Sequence, residues 1–583
     1  MEDKRVPNKE IIIMLKEILA AMEVKNYNSF RVRAYQNAIS VLENLTVSIQ
    51  DLWENKRLGE IPCIGPGIEA HLNEFFTEGS VTEFEEIKKD LPDGMFSLIG
   101  LRGIGAKRAY KLALAFKLEK REDALEKIKL AAEKGKIQVL EGFGEKMEKL
   151  ILEAVDEQKM TKNKKIRFLL PQAEEIVGRI KDYMKGCDSV IEMEACGSFR
   201  RKNATIGDLD IPVSTNEPEK VLEYFLKFPE IEEVLVVGDK KSSVVLKNEV
   251  QVDIRVSQPQ AYGAMLQYFT GSKQHNILLR NFALNKGMSL SEYGIKKDQE
   301  LMEFSNEKDF YGQLGLPLIP PELRNGNQEI EFAQKDKLPK LIELSDIKGD
   351  IHSHTNFSDG VDTLEDMVEE ARKMGYEYIG ISDHAPSIQS RGLGTVLKIV
   401  SDTRKKIDEI NSSQNDIKVL FGYEVNILVD NSLSLPDDIL KNLDYVIAGI
   451  HSGFSQDRET VTQRLLSAIE NPYVSVIAHP SGRVLNERDP ADPDWNKIFS
   501  AARDNNVLLE INSQPSRLDL PDDLIKMAID WGVDLIINSD AHSKSDFSYM
   551  KYGVCMARRG WAEKKNIVNS LKYDEFVKKI KLL

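Results

Sequence analysis

From residue 350 onward one unit recurs: a short apolar run ending in polar, often metal-ligating residues, followed in every case but the last by a helical or turn stretch. The seven runs end in DIHSH, GISDH, FGYEV, AGIHS, VIAHP, LLEIN and INSDAH. Strand–helix alternation of that length points to a barrel. Histidine usage follows the same division. Of eight histidines only His71 and His275 precede residue 350, so the chain holds two chemistries. His352 and His354 alternate on one strand and Asp359 follows in an SDG turn; His384, Glu424, His451, His479, Asp540 and His542 come after. Nearly all stand at a strand's carboxyl end, where barrel enzymes assemble their sites. Six imidazoles and three carboxylates suit two or three Zn²⁺ or Mn²⁺ ions. Cys63, Cys187, Cys196 and Cys555 are scattered without a CxxC pair, which excludes a disulfide framework or a cysteine zinc site.

The remainder of the 583 residues leaves room for more, about four domains at a prior of roughly 150 residues each. A balance of 79 basic against 94 acidic residues, net −15, excludes a chain that coats phosphate everywhere and confines any nucleic-acid surface to local patches. The first ten residues, MEDKRVPNKE, are too acidic and polar for a secretory signal. No apolar stretch approaches the roughly 18 residues that span a bilayer, so a soluble, cytoplasmic chain is expected.

The first 160 residues read as short amphipathic helices broken by glycine pairs. IPCIGPGIEAHL, LRGIGAKRAYKL and LEGFGEKMEKLI each fit a helix, a tight turn and a second helix whose free N–H groups can bind an anion. Gly65, Gly105 and Gly144 fall 40 and 39 residues apart. With partners Gly67, Gly103 and Gly142 they look like helix–hairpin–helix motifs gripping the sugar–phosphate backbone, and Lys107, Arg108 and Lys111 add cations.

From Val190 the pattern turns to β. In GDLDIPV, Asp208 and Asp210 leave one face of a strand while Leu209, Ile211 and Val213 face the other; in EVQVDIRV the same parity sets Asp253 outward. Three carboxylates so placed suit two Mg²⁺ ions bridging a nucleoside triphosphate and a 3′-hydroxyl. Gly197 and Ser198 offer donors, Arg200 or Arg201 a cation for phosphate oxygens, and the absence of a GxxxxGK[ST] loop excludes a P-loop mechanism.

GSFRR, GDLD, VDIR and YFTGSKQHNILLR together resemble the DNA polymerase X family, gap-filling enzymes of repair, over residues 28–322. The resemblance implies Mg²⁺ or Mn²⁺ on Asp208, Asp210 and Asp253, with Asp253 accepting the primer hydroxyl proton. It implies triphosphate contacts from Ser198, Arg201 and Gly207, and nucleotide or minor-groove contacts from Tyr268, Phe269, Gly271, Asn276 and Arg280. Three features depart from the family. His71 stands where lyase-bearing relatives carry a Schiff-base lysine, and imidazole forms no iminium, so deoxyribose-phosphate lyase activity is not expected. Cys63 replaces a motif glycine, which predicts a first hairpin that is distorted or binds DNA weakly, and Lys202, Asn203 and Ala204 depart from the usual residues after the paired arginines.

Residues from about 348 onward resemble the PHP (polymerase and histidinol phosphatase) family, a distorted seven-stranded barrel with a trinuclear site, and the nine residues above match its ligand set without a gap. The implied chemistry is a metal-activated water attacking phosphorus. Beside a polymerase this implies a 3′→5′ exonuclease, with abasic-site or blocked-end processing; Arg483 and Arg517 are candidate phosphate holders.

The expected architecture is multidomain, α+β and α/β. It comprises a helical domain over 1–80 with the first hairpin, a second over 81–160 with the other two, a nucleotidyltransferase palm over 161–260, a thumb over 261–325, a linker over 326–346 and a PHP barrel of (β/α)7 type over 347–583. The expected partners are gapped or primer–template DNA and dNTPs, with the chain a monomer away from membranes. A nucleotidyltransferase with a phosphomonoesterase acting on small molecules, and a DNA-end scaffold with structural metals, are the alternatives.

Overall fold

A computed structural model describes residues 6, 8–42, 49–54, 56–61, 63–99, 101, 104–140, 142–144, 147–152, 167–453 and 456–580. The chain divides into two units, Met1–Ile166 and Arg167–Leu583. Among the described residues no helix is long and apolar enough to cross a membrane.

The first unit is helical, with Asn8–Val24, Ser29–Leu42, Pro66–Glu78, Ala106–Ala115 and Arg121–Glu133 as its longer helices around a core that includes Leu15, Leu72, Met95 and Leu112. The hairpin segments share one geometry. Gly65 (φ −86°, ψ 169°) and Gly105 (φ −89°, ψ 172°) each precede a helix whose first N–H groups no side chain caps. In the third copy residues 147–152 are helical, and the Met147 and Glu148 amides donate to the Gly144 carbonyl. The distortion expected at Cys63 is absent. Cys63 adopts the left-handed φ of +66° that the matching Gly142 takes at +87°, so the turn survives at a cost of about 1–2 kcal/mol for a residue with a Cβ.

In the second unit a five-stranded palm sheet runs in the order Glu192–Met193, Asp208–Ser214, Gln251–Ser257, Lys241–Leu246, Ile231–Val237. The helices Tyr262–Thr270 and Lys273–Leu284 and a three-stranded antiparallel sheet over Met288–Met302 follow. The 326–346 segment, expected as a linker, carries the helix Glu329–Gln334 and is packed down. Glu329, fully buried, accepts from the Gly326 and Asn327 amides at 2.8 Å and pairs with buried His275 at 2.7 Å.

Beyond it seven parallel strands pair in chain order: Gly349–Asp350, Tyr378–Ile381, Lys418–Asn426, Tyr445–Gly449, Val476–Ile477, Leu508–Asn512 and Leu535–Asn538. Their residues are buried almost throughout, as parallel strands walled by helices must be. A bridge between Ser353 and Ala541 joins the first run to the last and nearly closes a barrel. Tyr445 fills the middle. Its hydroxyl donates to the Ile351 carbonyl at 2.7 Å, and its ring lies where a Cβ on Gly422 would come within 2.6 Å.

Candidate active sites

The parallel register of the palm sets Asp210 opposite Asp253 and Leu209 opposite Val252. Alternation buries Leu209, Ile211, Val252 and Ile254 and leaves Asp208, Asp210 and Asp253 on the other face. Burial first, then the charges of Asp208 and Asp253, push the Asp210 carboxyl up to about 6. Three carboxylates crowding one another in this way fit a divalent cation. Asp253 moves the other way: burial alone would raise it, but Lys241 at 2.7 Å and Gln251 at 3.2 Å hold it below the ordinary range. Gly197, at φ +60°, passes so near that a Cβ would lie 3.3 Å from Asp210 Oδ2. Ser198 follows it on the short helix Gly197–Arg200.

The two arginines separate into different duties. Arg200 donates to Thr270 Oγ1 and Glu307 Oε2, both at 2.6 Å, and Glu307 is shared with buried Arg324. Arg201 has no carboxylate at ion-pair distance among the described residues. It donates to the Thr270 carbonyl, its Nε is buried without a partner, and burial, then Arg559 and Arg324, push it down to about 10. Of the pair, Arg201 is the one short of an anion. A Cβ on Gly271 would lie 3.2 Å from Arg201, and one on Gly207 3.1 Å from Arg167. Tyr268 and Phe269 meet edge to face at 5.0 Å, with Arg280 over the first ring at 5.3 Å and Arg255 over the second at 4.4 Å. Asn276 donates to the Tyr268 carbonyl and accepts from Gln267, each at 2.8 Å, which fixes where this helix ends.

All nine histidine and carboxylate candidates of the barrel meet at the carboxyl ends of its strands. Glu424 is the hub. Its oxygens lie 2.9 Å from His479 Nε2, 3.0 Å from His451 Nε2, 3.0 Å from His384 Nδ1, and 3.7 and 3.8 Å from His352 and His354. Asp540 stands 3.5 Å from His352 and 3.3 Å from His354. Asp359, exposed at the mouth, stands 3.3 Å from His384 and 3.2 Å from His542. Three groupings have ligand atoms within 4.8 Å of one another: His354, Asp359, His384 and His542; His352, His354 and Glu424; His384, Glu424 and His451. His352 Nε2, both His354 nitrogens and His479 Nδ1 are buried without a hydrogen-bond partner, which metal ions would remedy. Burial alone would raise Glu424, but His352 and its neighbours hold it well below the usual carboxylate range. Asp540 (φ +54°) and His479 (φ +29°) hold left-handed backbone, strain of about 1–3 kcal/mol each of the kind that marks functional sites.

The sequence reading missed Glu510. Fully buried, it accepts from His352 Nδ1 at 2.6 Å, the His479 amide at 2.8 Å, Asn538 at 2.9 Å and Asn512 at 3.0 Å. The acid inside the apolar run LLEIN, matching Glu424 in FGYEV, was the available signal. Arg483 is buried against the Arg517 and Leu518 carbonyls and braces a loop.

In the first unit a Cβ on Gly65, Gly67, Gly105, Gly142 or Gly144 would meet nothing within 4 Å, so the bare backbone is open to close approach. Gly103 lies outside the described residues. Lys107 reaches Asn26 at 3.0 Å beside the second hairpin. His71 is engaged on both nitrogens, by Tyr35 at 2.6 Å and Glu83 at 2.7 Å.

Three stretches of the chain match known domains. Residues 6–81 match a helix-hairpin-helix domain, 265–325 the DNA polymerase beta thumb and 350–514 the PHP domain. The chain is 37% identical to the DNA polymerase/3'-5' exonuclease PolX of Bacillus subtilis, over 96% of its own length and 97% of that protein's. Its barrel region is 32% identical to probable phosphatases of Thermoanaerobacter sp. and Caldicellulosiruptor bescii, over 34% and 33% of this chain and 80% of each relative.

Proposed function

The chain belongs to the family of the DNA polymerase/3'-5' exonuclease PolX, and from that premise we propose how its two centres divide the work. It is a DNA-directed DNA polymerase and a metal-dependent 3′→5′ exonuclease. Extension falls to Asp208, Asp210 and Asp253, and the removal of 3′ nucleotides to the nine ligands of the barrel. Mg²⁺ or Mn²⁺ held by the palm carboxylates would activate the primer hydroxyl and neutralise the triphosphate. Asp253, steadied by Lys241 and Gln251, takes the hydroxyl proton. Arg201, the arginine without a carboxylate, grips a triphosphate oxygen, with Gly197 and Ser198 as neighbouring donors. Tyr268, Phe269 and Gly271 border the incoming nucleotide, Asn276 braces that border, and Arg280 lies toward the minor groove.

In the barrel His352, His354, Asp359, His384, Glu424, His451, His479, Asp540 and His542 would hold two or three Zn²⁺ or Mn²⁺ ions, supplying a water nucleophile and charge for the phosphate. Cleavage at abasic or blocked ends uses the same chemistry and is proposed with it. The glycine pairs hold the DNA backbone. We read the enzyme as a cytoplasmic monomer working on repair gaps, and the helix-hairpin-helix and thumb matches support DNA over the small-molecule alternative.

The observation that carries this reading is the register locking Asp210 beside Asp253 in a chain that also gathers nine candidate metal ligands on one barrel end. A primer assay on gapped DNA with Mn²⁺ tests it. Asp208→Ala/Asp210→Ala should lose extension and keep 3′ degradation, and His352→Ala/His354→Ala the reverse. Loss of both activities in either double variant would break the assignment.

A further inference from the structure

Beside the barrel ligands lies a cavity of about 690 Å³ whose wall includes Asp359 and His384 and, farther out, Phe357, Arg391, Lys406 and Tyr423. Two of its features face solvent. Phe357 is an aromatic ring left 44% exposed, two residues from Asp359. Arg391 and Lys406 are exposed cations lining the same space.

Phe357 is not loose. Asp383 accepts from the Thr355 amide and hydroxyl at 2.7 Å and from the Ser358 hydroxyl at 2.5 Å, and the Phe357 amide donates to Thr355 Oγ1 at 3.2 Å. The turn that offers the ring is therefore pinned from both sides. Lys406, on the helix Leu393–Ser413, sets its ammonium over one face of the ring, 4.6 Å from the centroid, so a base would take the other face. A rigid aromatic surface with cations around it, opening onto metal-binding carboxylates and imidazoles, is the chemistry that takes an unpaired nucleotide: base on ring, phosphate on cation.

We propose that this cavity seats the 3′-terminal nucleotide of a single-stranded DNA end, with its base against Phe357 and its backbone phosphates near Arg391 and Lys406. The proposal rests on the exonuclease reading and adds to it a preference: the barrel recognises a base, not only a phosphodiester. It therefore predicts a higher KM, not a lost activity, at an end whose last residue lacks one, so abasic ends are still cleaved.

The test compares two oligonucleotides in Mn²⁺, identical except that one ends in a normal nucleotide and the other in a tetrahydrofuran residue. For the full-length wild type KM should be about tenfold lower for the base-bearing end, in line with one base stacked on one aromatic ring. Phe357→Ala should bring that ratio close to one, and Phe357→Trp should restore it. Lys406→Ala should raise KM for both ends alike, as a phosphate contact does. A wild-type ratio near one, or a ratio that Phe357→Ala leaves unchanged, overturns the proposal while the exonuclease stands. If the wild type degrades neither strand, the exonuclease reading fails and the proposal fails with it.

Discussion

Glu510 touches no candidate substrate, yet it decides which nitrogen of His352 faces the barrel centre. Its ionised carboxylate accepts the hydrogen bond from Nδ1–H at 2.6 Å and leaves Nε2, buried and unpartnered, for a ligand. A holder of this kind typically contributes 10–100-fold to metal affinity or activity, so Glu510→Gln should cut 3′ degradation by about that factor with extension intact. Equal degradation by variant and wild type at limiting Mn²⁺ would refute the role. The palm gives a second prediction. A carboxyl pushed up to about 6 must release its proton before it can bind a cation, so metal affinity at that site is lost as pH falls through the same value. Half-saturation of extension by Mn²⁺ should therefore climb by up to about tenfold per unit below pH 6. A flat response from pH 7.5 to 5 would show that Asp210 is not titrating. At this scale the sequence yields the ligands because they interrupt apolar runs, as His352 and Glu424 do. It does not separate ligand from holder: Glu510 interrupts its run in the same way, and only the distances assign it to His352.

The strands of the barrel are legible as elements because each is a short run of apolar residues with a polar end. Their interlock is not, since it joins residues far apart in the chain. Gly422 and Gly380 leave space that Tyr445 fills, with Cβ positions 2.6 Å from its ring and 2.3 Å from its hydroxyl. Gly422→Ala should overpack the barrel by about 1–3 kcal/mol, seen as a lower Tm with the helical first unit unaffected. An unchanged Tm would mean that the ring has room to move. Two other elements follow the same logic. The glycine pairs announce the hairpins, but Cys63 in a glycine's place was read as distortion because sequence cannot show that the turn tolerates a Cβ at φ +66°. The segment read as a linker has the polarity of one, and its anchor, the buried pair of Glu329 with His275, joins residues 54 positions apart.

At the scale of the molecule the two catalytic heads of the second unit share a fastener, the helix Met550–Arg559 of the barrel domain. Lys551 and Tyr552 both donate to Glu174 of the palm side, at 2.9 and 3.0 Å, and Arg558 donates to Glu322 at 2.8 Å. Arg559, side chain 7% exposed, goes further. One end of its guanidinium donates to the Arg201 carbonyl at 2.7 Å and to Asn203 at 2.8 Å, the other to Asp522 of the barrel at 2.6 Å. Asn203, one of the residues after the paired arginines that depart from the family pattern, is thus held by a barrel arginine. The backbone carrying the proposed triphosphate arginine is set by the exonuclease domain. Arg559→Ala should raise the KM for dNTP in gap extension by about tenfold, the effect of losing one charge-assisted hydrogen bond of about 1.4 kcal/mol, while 3′ degradation continues. Because removing a buried charge also endangers folding, Arg559→Lys serves as the second variant: it keeps the charge and loses the two-ended grip, so an intermediate KM is expected at near-wild-type Tm. If Tm falls while the KM for dNTP stays at the wild-type value, Arg559 only fastens the domains and the polymerase pocket is positioned without it.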